Sequence, residues 1–133
     1  MTRNRRLLVR CLFFLYLAAV LFLCFGHFDS TEDVPRMLLG IPTDKLVHFC
    51  MFFPFPFLAF LSFDRYTRTV RSSLLHVGIT LALGLLLAVG TEWGQAQLTD
   101  YRSGDRWDLL ADSIALLTAS LTVLFLDIHK QKR

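Results

Sequence analysis

Charge is scarce in this chain. Charged side chains make up 19% of its 133 residues, below the roughly 25% of an ordinary soluble domain, and the apolar share of 54% exceeds the usual level of about 45–50%. So little charge beside so much apolar surface excludes a disordered chain. Cysteine is sparse as well. Cys11, Cys24 and Cys50 are odd in number and each falls within an apolar run, which excludes a disulfide scaffold and fits small apolar packing residues. No internal repeat is evident, and no gap between the apolar runs is long enough to hold a folded domain, so a multidomain soluble enzyme is excluded too. A small-x-small cleavage site is also missing after the first run, where Gly26, His27 and Phe28 follow. Despite the basic Arg3, Arg5 and Arg6, that run is therefore expected to be an uncleaved helix and not a signal peptide.

What the chain does have is four apolar runs. They extend from Leu7 to Phe25, Leu46 to Phe63, Leu74 to about Gln95, and Asp108 to about Phe125, each near the ~20 residues that a helix needs to cross a bilayer. The expected fold is all-α, a single integral membrane bundle of four transmembrane helices over residues 1–133. The second run is rich in phenylalanine and contains Pro54 and Pro56. These remove two backbone donors and should free the carbonyls of Cys50 and Phe52, so a kink is expected there.

The few charges are sorted by side. Ten of the 14 basic residues (Arg3, Arg5, Arg6, Arg10, Arg65, Arg68, Arg71, Lys130, Lys132, Arg133) fall on one side of this bundle, with only Asp64 and Asp127 as acids. The other side carries Arg36, Lys45, Arg102 and Arg106 with nine acids. By the positive-inside rule both termini are expected in the cytoplasm and the protein in the cytoplasmic (inner) membrane. Trp93, Tyr101 and Trp107 at the predicted outer boundary fit an aromatic belt. The basic balance then reflects topology and anionic inner-leaflet lipid, and nucleic acid is not an expected partner.

Charged groups near hydrocarbon need partners or water, so those present there are candidates for function. Asp44, Lys45 and His48 stand at the outer start of helix two, and Glu92 and Gln95 at the outer end of helix three. Arg102, Asp105, Arg106, Asp108 and Asp112 lie in and after the last outer loop. Asp44 and His48 are four apart, Glu92 and Gln95 three, and Asp105, Asp108 and Asp112 follow a three-then-four step, so each set shares a helix face. Structural roles compete: Asp44 and Asp108 as helix caps, Lys45 as a snorkelling side chain, Glu92 in an ion pair with Arg102 or Lys45, and His48 as a packed histidine.

The same residues carry a family resemblance. Asp44-Lys45-Leu46-Val47-His48-Phe49, then Glu92-Trp93-Gly94-Gln95, then Arg102-Ser103-Gly104-Asp105 and Asp108-Leu109-Leu110-Ala111-Asp112 resemble the VanZ-like family. Its pattern is D-K-x-x-H-F, E-x-x-Q and R-x-x-D-x-x-D-x-x-x-N, and the likeness covers roughly Asp44 to Ala119. Asp112 stands where the family usually has Asn, and Ala115 and Thr118 where Gly is common. The resemblance implies a membrane protein related to one linked with low-level resistance to teicoplanin-type glycopeptides. Asp44, Lys45, His48, Glu92, Gln95, Arg102, Asp105, Asp108 and Asp112 would then line an outer-facing polar pocket. Membrane lipids are expected partners, and a lipid-linked cell-wall precursor or lipoglycopeptide is the expected ligand, with Lys45 and Arg102 pairing with phosphate or carboxylate. The alternative is a membrane-embedded hydrolase or transferase, in which His48, Glu92, Asp108 and Asp112 would serve a divalent cation. Neither a metal-ligand motif such as H-E-x-x-H nor an activated nucleophile is found, so no metal site, cofactor or catalytic residue is assigned, and binding is preferred to catalysis.

Overall fold

The computed structural model describes residues 3–26, 36–38, 40–63, 69–100 and 104–132. The first apolar run folds as α1, Arg3–Phe25, and the phenylalanine-rich run as α2, Thr43–Phe52, followed by α3, Pro54–Phe63. The last two runs form α4, Val70–Leu98, and α5, Arg106–Gln131. With α2 and α3 taken together, four helices are long and apolar enough to cross a membrane. Large apolar side chains such as Leu15, Phe22, Leu86 and Phe125 stand exposed on their outer faces. That is the pattern expected where the surrounding solvent is apolar.

The interruption between α2 and α3 falls where the prolines predict a kink. Phe53 keeps helical dihedrals, φ −57° and ψ −39°, and its N–H still donates to the Phe49 carbonyl at 3.0 Å. The two pieces are thus one interrupted helix, broken where Pro54 lacks a donor. The carbonyl that gains a partner from another helix is that of Met51, which accepts the Tyr16 hydroxyl at 2.6 Å. This ties α1 to the break.

Helix ends depart from the apolar runs because capping residues, and not hydropathy, set them. Thr69 caps α4 in a reciprocal box: its Oγ1 accepts the Ser72 N–H at 3.2 Å, and the Ser72 hydroxyl oxygen accepts the Thr69 N–H at 3.0 Å. The helix therefore starts before Leu74 and reaches 29 residues, about 43 Å at 1.5 Å per residue. Asp105, not Asp108, caps α5, accepting the Trp107 N–H at 2.9 Å. Asp44 sits within the first turn of α2, whose cap position is Pro42, so its charge meets the helix dipole without capping. Ahead of α2, Met37–Leu38 and Ile41–Pro42 pair antiparallel. Gly40 in this hairpin has φ 79°, a backbone state that a side chain disfavours.

The helices alternate in direction. α5 packs on α4, α2 and α3, and α1 leans chiefly on α3 with a lighter contact to α4. The core is built from Phe13, Val20 and Cys24 of α1, Phe52, Phe55 and Ala59 of the interrupted helix, Ala88 of α4, and Ala115 and Leu116 of α5. Gly84 allows a close approach in this core, since a Cβ there would lie 2.7 Å from Leu116 Cδ2 and 3.0 Å from Phe55 Cδ1. Small residues at such contacts let helix backbones come close in an apolar setting.

Two polar layers close the two ends. At one end Ser73, Asp127 and Gln131 join α4 to α5, and Arg10 Nε donates to the Ser62 carbonyl at 3.2 Å. At the other end the N-termini of α2 and α5 meet the C-terminus of α4, with Trp93 and Trp107 exposed nearby. This second end carries the residues singled out from the sequence.

Candidate functional site

Lys45 and His48 lie one turn apart on α2 and serve two adjoining clusters. Lys45 Nζ donates to Asp44 Oδ2 at 2.8 Å, to Asp105 Oδ2 at 2.6 Å and to Asp108 Oδ1. An ammonium has three donors, and all three are taken. The Lys45 ammonium, aided by the Trp107 N–H, holds the Asp105 carboxyl below the usual carboxylate range. Lys45 is therefore a clamp between α2 and the start of α5 and does not extend freely toward solvent.

Deeper by one turn, the His48 ring is buried among three carboxylates. Nδ1 lies 3.1 Å from Asp112 Oδ1 and 3.7 Å from Glu92 Oε1, and Nε2 lies 3.6 Å from Asp108 Oδ2. Only the contact to Asp112 is short enough for a hydrogen bond. Asp112 is fully buried and the Glu92 side chain is 9% exposed. Glu92 Oε2 accepts the Asp105 N–H at 2.9 Å, whereas Glu92 Oε1 and Asp112 Oδ2 are buried with no hydrogen-bond partner among the described residues. Such orphaned oxygens are costly in a protein interior and call for an explanation.

The local sequence explains how these groups meet. The four-residue step from Asp44 to His48 points both toward α5, and the step from Asp108 to Asp112 places one carboxylate at each level of α2. Gly104 brings the connection before α5 onto the end of α4: a Cβ there would lie 2.7 Å from the Glu92 carbonyl oxygen. Because that neighbour is backbone, only glycine lets the Asp105 N–H reach Glu92 in this arrangement.

Of the nine residues expected to form a pocket, seven converge: Asp44, Lys45, His48, Glu92, Asp105, Asp108 and Asp112. Gln95 does not join them, because its Nε2 donates to the Cys24 carbonyl at 2.8 Å and fastens α4 to α1. Arg102 lies outside the described residues. Glu92 meets a backbone amide and an imidazole; of the two candidate partners for a structural ion pair, Lys45 is engaged by Asp44, Asp105 and Asp108, and the other is Arg102, outside the described residues. Tyr16 and Gly104 were not among the candidates. The signal for Tyr16 was a hydroxyl one helix away from a proline break, and for Gly104 a glycine one residue before a helix cap.

No family model, no curated protein and no solved structure matches the chain.

Proposed function

We propose that this chain is a multi-pass protein of the cytoplasmic membrane with both termini inside. Its polar end faces the outer surface and binds the head of a lipid-linked or lipidated envelope molecule. The observation that carries this reading is the convergence of Lys45, His48, Glu92, Asp108 and Asp112 from three helices at one end of an otherwise apolar bundle. The resemblance to the VanZ-like family supports the same reading and suggests a part in glycopeptide tolerance.

The geometry refines the ligand chemistry. Lys45 has no donor left for a phosphate or carboxylate, and the unbonded atoms around His48 are acceptors. The site therefore suits groups that donate, such as sugar hydroxyls, peptide amides or an ammonium. Deleting the gene should raise susceptibility to teicoplanin-type glycopeptides, and a copy carrying Glu92→Ala should fail to restore tolerance. Purified protein in lipid nanodiscs should bind a labelled polyprenyl-linked peptidoglycan precursor, and the variant should bind it less. Unchanged susceptibility together with unchanged binding would sink the reading.

A second reading rests on Glu92 Oε1. A buried carboxylate oxygen with no hydrogen bond, beside an imidazole, is also a general-base arrangement. Product analysis on polyprenyl substrates, with and without Glu92→Gln, separates a hydrolase or transferase from a binding protein.

A further inference from the structure

Unspent carboxylate oxygens flank the His48 ring one turn below Lys45, with Glu92 Oε1 3.7 Å from Nδ1 and Asp108 Oδ2 3.6 Å from Nε2. With Asp112 accepting from Nδ1, the proton of a neutral His48 resides on that nitrogen, and Nε2 presents its lone pair toward Asp108 Oδ2 at 3.6 Å. Asp108 Oδ1 is held by Lys45 and Glu92 Oε2 by the Asp105 N–H. Each ligand candidate is thus anchored through one polar atom and keeps another unspent. A single donor atom from each of His48, Glu92 and Asp108 lies within 4.8 Å of the others.

Charge points the same way. Around this point five carboxylates (Asp44, Glu92, Asp105, Asp108 and Asp112) face the Lys45 ammonium and the His48 imidazole, with the Arg106 guanidinium acting on Asp105 as the further cation among the described residues. Even an imidazolium would leave the set negative, with Glu92 Oε1 and Asp112 Oδ2 still buried and unbonded. Buried charge is tolerated when it is paired or coordinates a metal. The neighbouring acidic trio of Asp44, Asp105 and Asp108 also satisfies the spacing for an ion, but its centre is filled by Lys45 Nζ.

We infer that His48, Glu92 and Asp108 form a binding site for a first-row divalent cation, Zn2+ or Mn2+, with Asp112 as the positioning residue that orients the imidazole. One imidazole nitrogen with carboxylate oxygens suits these ions, whereas Mg2+ and Ca2+ prefer all-oxygen shells. A carboxylate on the far nitrogen of a ligating histidine fixes its tautomer and strengthens it as a ligand. The site is formed by side chains of three helices, so the ion also ties α2, α4 and α5 together. This inference stands whether or not the outer end binds an envelope lipid.

The test uses the full chain in detergent micelles, stripped with a chelator, dialysed against ZnCl2 or MnCl2 and measured for bound metal. About one equivalent per chain is expected, with a raised unfolding temperature. Glu92→Gln and His48→Gln should each abolish uptake, and Asp112→Asn should weaken affinity by about 10–100-fold. Asp127→Asn, at the opposite end, should leave it unchanged. Circular dichroism and gel filtration report whether each variant stays folded. Pulsed electron paramagnetic resonance on Mn2+-loaded wild type needs no variant and should show coupling to one imidazole nitrogen. Failure of the wild type to retain metal, uptake unaffected by His48→Gln, or a spectrum without nitrogen coupling would each overturn the inference.

Discussion

Lys45 shows how far a single side chain departs from the role its position suggests. A lysine in the first turn of a membrane helix ordinarily snorkels to the headgroups, yet the Lys45 ammonium spans Asp44, Asp105 and Asp108. Lys45→Ala would leave these carboxylates facing each other without the ammonium that bridges all three. We expect it to lower the stability of the purified protein by about 2 kcal/mol, the scale of hydrogen bonds to charged groups discounted for partial exposure. Adding Asp108→Asn to it should recover part of the loss. Denaturant unfolding in a fixed micelle checks both, and an additive double variant would contradict the clamp. Tyr16 is a second such residue, legible only once the partner helix is known. Tyr16→Phe keeps the ring and removes the hydroxyl held by the Met51 carbonyl, so a loss of about 1 kcal/mol is expected in the same measurement.

At the scale of elements, the spans were readable and their ends were not. Four apolar runs mark four helices because hydrophobic length is a strong signal in a membrane. The capping residues Thr69 and Asp105 lie in polar sequence that offers several competing caps, and hydropathy does not choose among them. The break at Phe53 was legible because proline acts locally. The site was legible as faces, since Asp44 with His48 and Asp108 with Asp112 follow helical spacing. Which face meets which depends on long-range packing, so the Glu92 contacts to the Asp105 amide and the His48 ring had no signature along the chain. Gly104 decides that contact. Gly104→Ala places a Cβ against the Glu92 carbonyl, which cannot swing aside as a side chain would. The connection must lift, and the Asp105 N–H should lose Glu92 Oε2. We expect a loss of about 1–3 kcal/mol, as for other overpacked sites. Amide hydrogen exchange at Asp105 should rise in the variant while exchange in the middle of α4 stays slow. Equal exchange at Asp105 in both proteins would show that Gly104 is not what seats the connection.

For the molecule as a whole, the alternation of helix direction converts charge order along the chain into charge order in space. Arg3, Arg5, Arg6, Arg10, Arg71, Lys130 and Lys132 gather at the end where α1 and α4 begin and α5 finishes, and the His48 cluster lies at the opposite end. A bilayer reads such a difference as orientation, because basic segments are retained on the cytoplasmic side. The buried carboxylates gain from the same arrangement. In the proposed orientation, this less basic end would face the envelope side, within reach of extracytoplasmic ions and lipid-linked molecules. A reporter enzyme that works only outside the cytoplasm should accordingly be active when fused after Pro35 or Gly104 and silent when fused after Arg68 or at Arg133. Replacing Arg3, Arg5, Arg6 and Arg10 together by Gln weakens the retention signal of α1 without touching the His48 cluster. The fusion at Arg133 should then gain activity in a fraction of molecules, because the remaining basic residues at Arg68, Arg71 and the C-terminal end still hold most copies in place. If the Gly104 fusion is silent in the wild-type chain, the polar end faces the cytoplasm. The proposed envelope ligand would then lose its access, while the cation site would keep its geometry.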